Sequence, residues 1–173
     1  MNSRAIRNFL FSPIVIYISR CILGFSTGYF LMLTFPQFDL FWALLSILLV
    51  ISPEAHDAKK LSVERVKANL IGAFSGFIAV FIPLDMYFKI SAGIILAAVL
   101  CKVLNLLNVA RTAVVAIIII LIEKPNDGFM APVERFLSVL AGCLIGLLIT
   151  VITAFIIKYL HKKILAAEYR SLS

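Results

Sequence analysis

The chain contains VERVKANLIGAFSG at residues 63–76 and VERFLSVLAGCLIG at residues 133–146. Both stretches place a leucine five residues after the arginine, continue into Gly-x-x-x-Gly, and then run on into apolar sequence. Two copies of one pattern indicate internal duplication, and duplicated halves are common in membrane transporters and channels. The repeat therefore predicts a transport protein, although it does not indicate what is transported.

The composition is that of an integral membrane protein. Hydrophobic residues make up 62% of the 173 residues, and apolar runs reach membrane-spanning length. The net charge of +7 is explained by cations in short cytoplasmic loops, so no nucleic-acid partner is expected. The spans leave no room for a separate soluble domain, and we expect a single transmembrane domain over residues 1–173.

Six transmembrane helices are predicted, delimited by proline, glycine and asparagine residues. Their approximate bounds are Pro13 to Phe35, Leu40 to Ile51, Val66 to Pro83, Tyr87 to Leu104, Thr112 to Ile122, and Pro132 to Tyr159, with a loop from Glu123 to Ala131 before the last helix. The second helix is about 18 Å long and the fifth is also short, whereas the hydrocarbon core is about 30 Å thick. Both short helices therefore need support from neighbours.

The two Gly-x-x-x-Gly helices define the halves of the molecule. Repeat one covers about residues 13–84, repeat two about 86–159, and residues 160–173 form a cytoplasmic tail. Three spans per repeat is an odd number, so the repeats must cross the membrane in opposite senses. The sequence therefore predicts an all-α membrane protein with two inverted three-helix repeats.

The distribution of lysine and arginine gives the orientation. With a cytoplasmic N-terminus, twelve of the cations fall on the inner side, and only Lys89, Lys124 and Arg135 fall on the outer side. Cytoplasmic loops carry an excess of cations. We therefore expect a multi-pass protein of the plasma (inner) membrane with both termini in the cytoplasm.

Small residues recur at four-residue spacing on three predicted helices. The glycines in these stripes are Gly24 and Gly28, Gly72 and Gly76, and Gly142 and Gly146. Small residues allow helix backbones to approach closely in lipid, so these glycines are interpreted as packing residues. The alternative is that they leave room for a permeating solute.

Arg20 is a candidate for the path of an anionic solute. It lies about two turns inside the first span, on the same helical face as Gly24 and Gly28. The first span contains no acid, so we expect Arg20 to have no local partner, and an intramembrane arginine is a functional candidate by default. The alternative is that its side chain extends to the inner headgroups.

Four further cations complete the candidate anion path. Lys102 and Arg111 lie at the inner membrane boundary, where cations are also expected from topology alone. Arg65 and Arg135 occupy the first turns of the third and sixth predicted helices, where the helix dipole disfavours a cation. Each of these two arginines is therefore expected to have a partner: the acid beside it, a lipid phosphate or an anionic solute.

The sequence contains no pattern typical of an enzyme or a cofactor site. Cys21, Cys101 and Cys143 lie in apolar surroundings without metal-ligand spacing, and His56 and His161 fall outside the spans. No nucleotide-binding loop or nucleophile motif is present. We therefore predict no catalytic activity, no metal and no cofactor.

Several short motifs resemble one membrane protein family. They are residues 41–46 with Ser52-Pro53, Glu64-Arg65, residues 69–73, Ala110-Arg111 and Glu134-Arg135. In these motifs the chain resembles the FUSC family of fusaric-acid-resistance proteins and aromatic acid exporters, and the membrane region of aluminium-activated malate transporters. The resemblance implies six spans in two related halves, dimeric assembly, and an arginine-lined anion path to which Arg20 and Arg111 correspond.

The expected function is passage of a small organic anion, aromatic acids included, across the plasma membrane by a homodimer in contact with membrane lipids. The alternative is a non-transporting membrane subunit that scaffolds or regulates a larger membrane complex. An aqueous path with converging arginines favours the first, and an interior sealed by apolar side chains favours the second.

Overall fold

The computed structural model describes residues 12–123 and 130–172, and regular structure in these ranges is helical. The six α-helices in them are α1 (Pro13–Thr34), α2 (Phe41–Val50), α3 (Ala55–Val80), α4 (Met86–Val103), α5 (Ala110–Glu123) and α6 (Met130–Leu172). A short 3₁₀ turn, Leu107–Val109, precedes α5. The all-helical prediction is confirmed for these residues.

Three helices in the described ranges are long and apolar enough to cross a membrane by length and composition: Pro13–Thr34, Met86–Val103 and Pro132–Ile164. Phe41–Val50 and Leu107–Ile122 are apolar but shorter, as the sequence predicts. Helix α3 has 26 residues, but charged residues occupy much of its first half. The chain is therefore a multi-pass membrane protein with helices of unequal length.

The helix ends follow local sequence signals. Ser12 caps α1 by accepting a hydrogen bond from the Val15 amide at 3.4 Å, and Pro13 starts the helix. Pro53 follows α2 and prevents its continuation. Asn105 has a φ of 55° after α4, a conformation that asparagine adopts more readily than most residues.

Two predicted boundaries are wrong. Helix α3 begins at Ala55 instead of Val66, because residues 55–65, most of which are polar, continue the helix ahead of the apolar segment. Helix α6 continues past the predicted end at Tyr159 to Leu172. In the predicted loop from Glu123 to Ala131, Glu123 belongs to α5 and Ala131 to α6, and residues 124–129 lie outside the described ranges.

Each short helix packs against the glycine helix of the other predicted repeat. A Cβ atom added to Gly142 would lie 2.7 Å from Cβ of Ser46, and one added to Gly146 would lie 2.8 Å from the carbonyl oxygen of Ile47. Residue numbers rise together along the two helices, so α2 and α6 are parallel. Contacts this close leave no space for a side chain in α6.

The second short helix makes the corresponding contact. A Cβ atom added to Gly72 would lie 2.9 Å from the carbonyl oxygen of Ala113, and Gly76 lies against Ile120. Residue numbers again rise together along the two helices, so α3 and α5 are parallel as well. The same number of residues separates Gly72 from Gly142 and Ala43 from Ala113, and the carbonyl of Ala43 meets Gly142. The contact between a short helix and a glycine helix therefore occurs twice. In each case the short helix comes from one repeat and the glycine helix from the other.

The remaining helices complete the bundle around α3 and α6, which pack on each other. Helix α1 runs antiparallel to α2, with Gly24 against Ile51 and Gly28 against Leu44. Helix α4 packs on α3 and α5. This arrangement places α2 between α1 and α6, with α3 also in contact.

Candidate functional site

Three arginines from three different helices contact α2 or its end. Arg20 of α1 reaches the residues just after α2, Arg65 of α3 reaches the middle of α2, and Arg135 of α6 reaches its first turn. We call Arg20, Arg65 and Arg135 the α2 arginines. They lie at successive levels of one short helix, although they are far apart in sequence.

Arg20 is bound to protein groups. Its Nη1 donates to the carbonyl oxygens of Ser52 at 2.5 Å and Pro53 at 2.7 Å, and its Nε donates to Oγ1 of Thr153 at 2.8 Å. The expectation that Arg20 has no local partner is therefore wrong. The broken end of α2 exposes carbonyl groups that attract a cation, and sequence reasoning did not place these carbonyls beside α1.

The Arg20 side chain lies against other helices of the bundle, and only 2% of the residue is exposed. It forms part of the wall of a groove of about 450 Å³ between α1 and α6. Most of the other lining residues are apolar, among them Ile16, Leu23 and Ile156, and Thr153 adds a hydroxyl group. A buried cation in an apolar groove suits a ligand with an anionic group and an apolar body.

Arg65 lies deeper in the bundle than its predicted position at a helix start. It is in the third turn of α3, and its Nε donates to Oγ of Ser46 at 3.2 Å. Ser46 in turn donates to the carbonyl oxygen of Trp42 at 2.6 Å. The neighbouring acid Glu64 instead accepts a hydrogen bond from Asn108 at 3.1 Å. The helix-start argument therefore does not apply to Arg65, and Glu64 is not its hydrogen-bond partner.

Arg135 packs on the only tryptophan of the chain. Its guanidinium carbon lies 3.8 Å from the ring centroid of Trp42, a distance typical of cation–π stacking, and 8% of the residue is exposed. Nearby, Oγ of Ser138 donates to the carbonyl oxygen of Asp39 at 3.0 Å and joins α6 to the turn before α2. Arg135 is thus held at the first turn of α2.

Two of the α2 arginines are not neutralised by a carboxylate. In the part of the chain that the structure describes, neither Arg20 nor Arg65 has a carboxylate oxygen within 4.0 Å. Hydroxyl and carbonyl dipoles stabilise both cations, but their charge is uncompensated. Such cations in a membrane protein attract anions or water.

Lys102 and Arg111 do not join this group. Both side chains are exposed, at the end of α4 and the start of α5. Among the described residues, neither α4 nor α5 contacts α2. The structure therefore brings together three of the five cations proposed from sequence and leaves these two on the surface.

Sequence reasoning missed the residues that receive the arginines. Ser46 is the one polar residue within the apolar helix Phe41–Val50, and Thr153 follows the small-residue stripe of α6. A lone hydroxyl in an apolar span is a signal that could have been used, because intramembrane hydroxyls seek partners on other helices.

The described residues contain no cluster of three or more histidine, cysteine or acidic residues that could hold a metal ion. Cys101 and Cys143 are buried, and Cys21 is half-buried. The chemistry that the site offers is therefore that of arginines, hydroxyls and one aromatic ring.

The described residues define a multi-pass, all-helical membrane protein that holds arginines inside its bundle. The chain matches a family described as fusaric acid resistance protein-like over residues 25–149, and it belongs to this FUSC family. The match includes Arg65 and Arg135, whereas Arg20 precedes it. Comparison with curated proteins and with solved structures gave no match.

Proposed function

We propose that this protein lets a small organic anion, aromatic acids included, cross the plasma membrane along the α2 arginines. Membership of the FUSC family supports a role in membrane transport or resistance in general. The proposal rests on the surroundings of Arg65. Its side chain donates a hydrogen bond to Ser46 in the middle of α2, and among the described residues no carboxylate oxygen lies within 4.0 Å of it.

The α2 arginines offer successive binding positions for a carboxylate. Helix α2 has ten residues and is about 15 Å long, and the arginines contact its first turn, its middle and the residues after its end. A guanidinium group presents a planar set of donors that matches a carboxylate. An anion can therefore move from one arginine to the next, and a guanidinium group balances its negative charge at each position.

The proposed path includes places for an apolar or aromatic body. Trp42 provides a ring at the level of Arg135, and the groove beside Arg20 is mostly apolar. An organic acid has both an anionic head and an apolar part, so it matches this combination better than a small inorganic anion does. For this reason we propose an organic substrate.

We further propose that six helices cross the membrane as two inverted repeats, with both termini in the cytoplasm, and that two chains form a homodimer. The exchange of partners between the halves supports the inverted arrangement, since α2 is parallel to α6 and α3 is parallel to α5. The dimer follows from the family resemblance.

One observation favours the alternative function, a scaffolding or regulatory subunit that transports nothing. The hydrogen bonds of Arg20 to Ser52, Pro53 and Thr153 brace α1, the end of α2 and α6 against each other. An arginine can act as such a brace without ever meeting a solute.

Flux measured with the purified protein separates the two functions. The protein is reconstituted into liposomes loaded with benzoate, and efflux is compared with protein-free liposomes and with liposomes loaded with a neutral sugar. Transport predicts saturable benzoate efflux without sugar efflux. Benzoate efflux equal to that of protein-free liposomes would support the subunit function instead.

A further inference from the structure

A second cationic site lies apart from the α2 arginines, where α3 begins. A pocket of about 480 Å³ is formed between α3 and the turn that joins α4 to α5. Lys59, Lys60 and Lys67 line it together with His56. These residues follow helical spacing, so α3 presents them as one stripe on the same face.

The positive charge of this pocket is largely uncompensated. Its one acid, Glu64, accepts a hydrogen bond from Asn108 at 3.1 Å, across the pocket from α3 to the turn. Among the described residues, no carboxylate oxygen lies within 4.0 Å of the amino groups of the three lysines. Three lysines against one acid leave a net positive site, and all three side chains are exposed.

The pocket also has an apolar side. Val63, Leu106 and the buried Val109 contribute to its lining. Val103 at the end of α4 and Leu107 on the turn are 71% and 63% exposed, so the turn carries further apolar surface. A cationic stripe beside exposed apolar residues is the arrangement expected where a bundle crosses from the headgroup region into the hydrocarbon.

We propose that this pocket binds the phosphate-bearing headgroup of an anionic phospholipid. The lysines would hold the phosphate as point charges, and the apolar lining would contact the glycerol and the start of the acyl chains. A free phosphate offers the same charge but makes no use of the apolar residues, which is why a lipid fits better. The proposal does not depend on which solute, if any, the protein transports.

Binding can be measured by the melting temperature of the full-length protein in neutral detergent as phosphatidylglycerol is titrated, with phosphatidylcholine as the neutral comparison. We expect phosphatidylglycerol to raise the melting temperature of the parent. In K59Q/K60Q/K67Q, the concentration that gives half of the effect should rise on the order of a hundredfold, since each lysine near an anionic lipid contributes about fivefold.

The matched control is K158Q/K162Q/K163Q, which removes three exposed lysines from α6 and should respond to phosphatidylglycerol as the parent does. If both triple variants lose the same part of the response to phosphatidylglycerol, the lipid is attracted to surface charge in general, and the proposal of a binding pocket is wrong. Stabilisation by inorganic phosphate at the same concentrations would assign the site to a soluble ligand and overturn the lipid. If K59Q/K60Q/K67Q does not fold, the single variants K59Q and K67Q replace it, and an unchanged titration in both would contradict the proposal.

Discussion

Arg20 satisfies carbonyl groups that the break after α2 would otherwise leave without a protein donor. The carbonyls of Ser52 and Pro53 follow the last turn of α2 and have no helical amide as a partner. One guanidinium group binds both carbonyls and Thr153. Arg20 should therefore contribute to stability, whether or not it also serves the proposed anion path.

We expect Arg20→Gln to lower the stability of the protein by roughly 2–4 kcal/mol, because it removes charged donors from buried acceptors. The melting temperature in detergent should fall by at least about 5 °C. Arg111→Gln, which changes an exposed arginine, serves as the control and should stay within about 0.5 kcal/mol of the parent. Similar melting temperatures for the two variants would show that the hydrogen bonds of Arg20 contribute little.

The depth of Arg65 could not be predicted from its neighbours in the sequence. Glu64, Arg65 and Lys67 together are typical of a solvated helix start, but α3 begins ten residues before Arg65. The side chain reaches Ser46, which is distant in sequence, and only tertiary packing places it there. The sequence singled out Arg65 as a candidate, which stays a prediction, but its surroundings were predicted incorrectly.

At the scale of helices, the glycines of α3 and α6 differ in how closely the partner helix approaches. At Gly142 an added Cβ would meet the backbone of α2, with Cα of Ala43 at 2.9 Å. At Gly76 the nearest atom would be a side-chain carbon of Ile120 at 3.4 Å. Both glycines belong to a Gly-x-x-x-Gly pair, but of these two positions only Gly142 is closed by backbone.

This difference predicts opposite outcomes for one substitution. Gly142→Ala should destabilise the protein by roughly 1–3 kcal/mol, because the backbone of α2 must move. Gly76→Ala should be neutral or slightly stabilising, since alanine favours helix and Ile120 can adjust. Melting temperatures of the two variants in the same detergent compare them directly, and an equal effect would show that the α2–α6 contact is looser than the structure indicates.

The helix pattern itself could largely be predicted from the sequence, since proline, glycine and apolar runs mark helix ends locally. The starts of α1, α2 and α4 lie within one residue of their predicted positions. The start of α3 could not be located in this way, because His56 to Arg65 form helix without an apolar stripe. The pairing of α2 with α6 required the three-dimensional structure, since no local signal specifies a partner.

For the whole molecule, the proposed topology predicts which residues face the cytoplasm and which face the outside of the cell. In a background with the native cysteines replaced by alanine, single cysteines are introduced at Lys60 and Asp127. A membrane-impermeant thiol reagent added to intact cells should modify Asp127→Cys and leave Lys60→Cys unmodified, because cation-rich segments remain cytoplasmic. Permeabilised cells, in which both should react, provide the control, and labelling of Lys60→Cys in intact cells would reverse the topology.

Benzoate efflux from liposomes, measured for Arg65 variants, shows whether an organic anion passes the α2 arginines. Within the described residues the Arg65 side chain makes one hydrogen bond, to Ser46, so its replacement should leave the fold intact, which the melting temperature checks. We predict that Arg65→Gln lowers efflux at least about tenfold, equivalent to roughly 1.4 kcal/mol. Arg65→Lys should retain part of the flux, and Arg111→Gln should transport like the parent. Folded Arg65→Gln protein that transports benzoate as fast as the parent would show that the anion does not pass along Arg65.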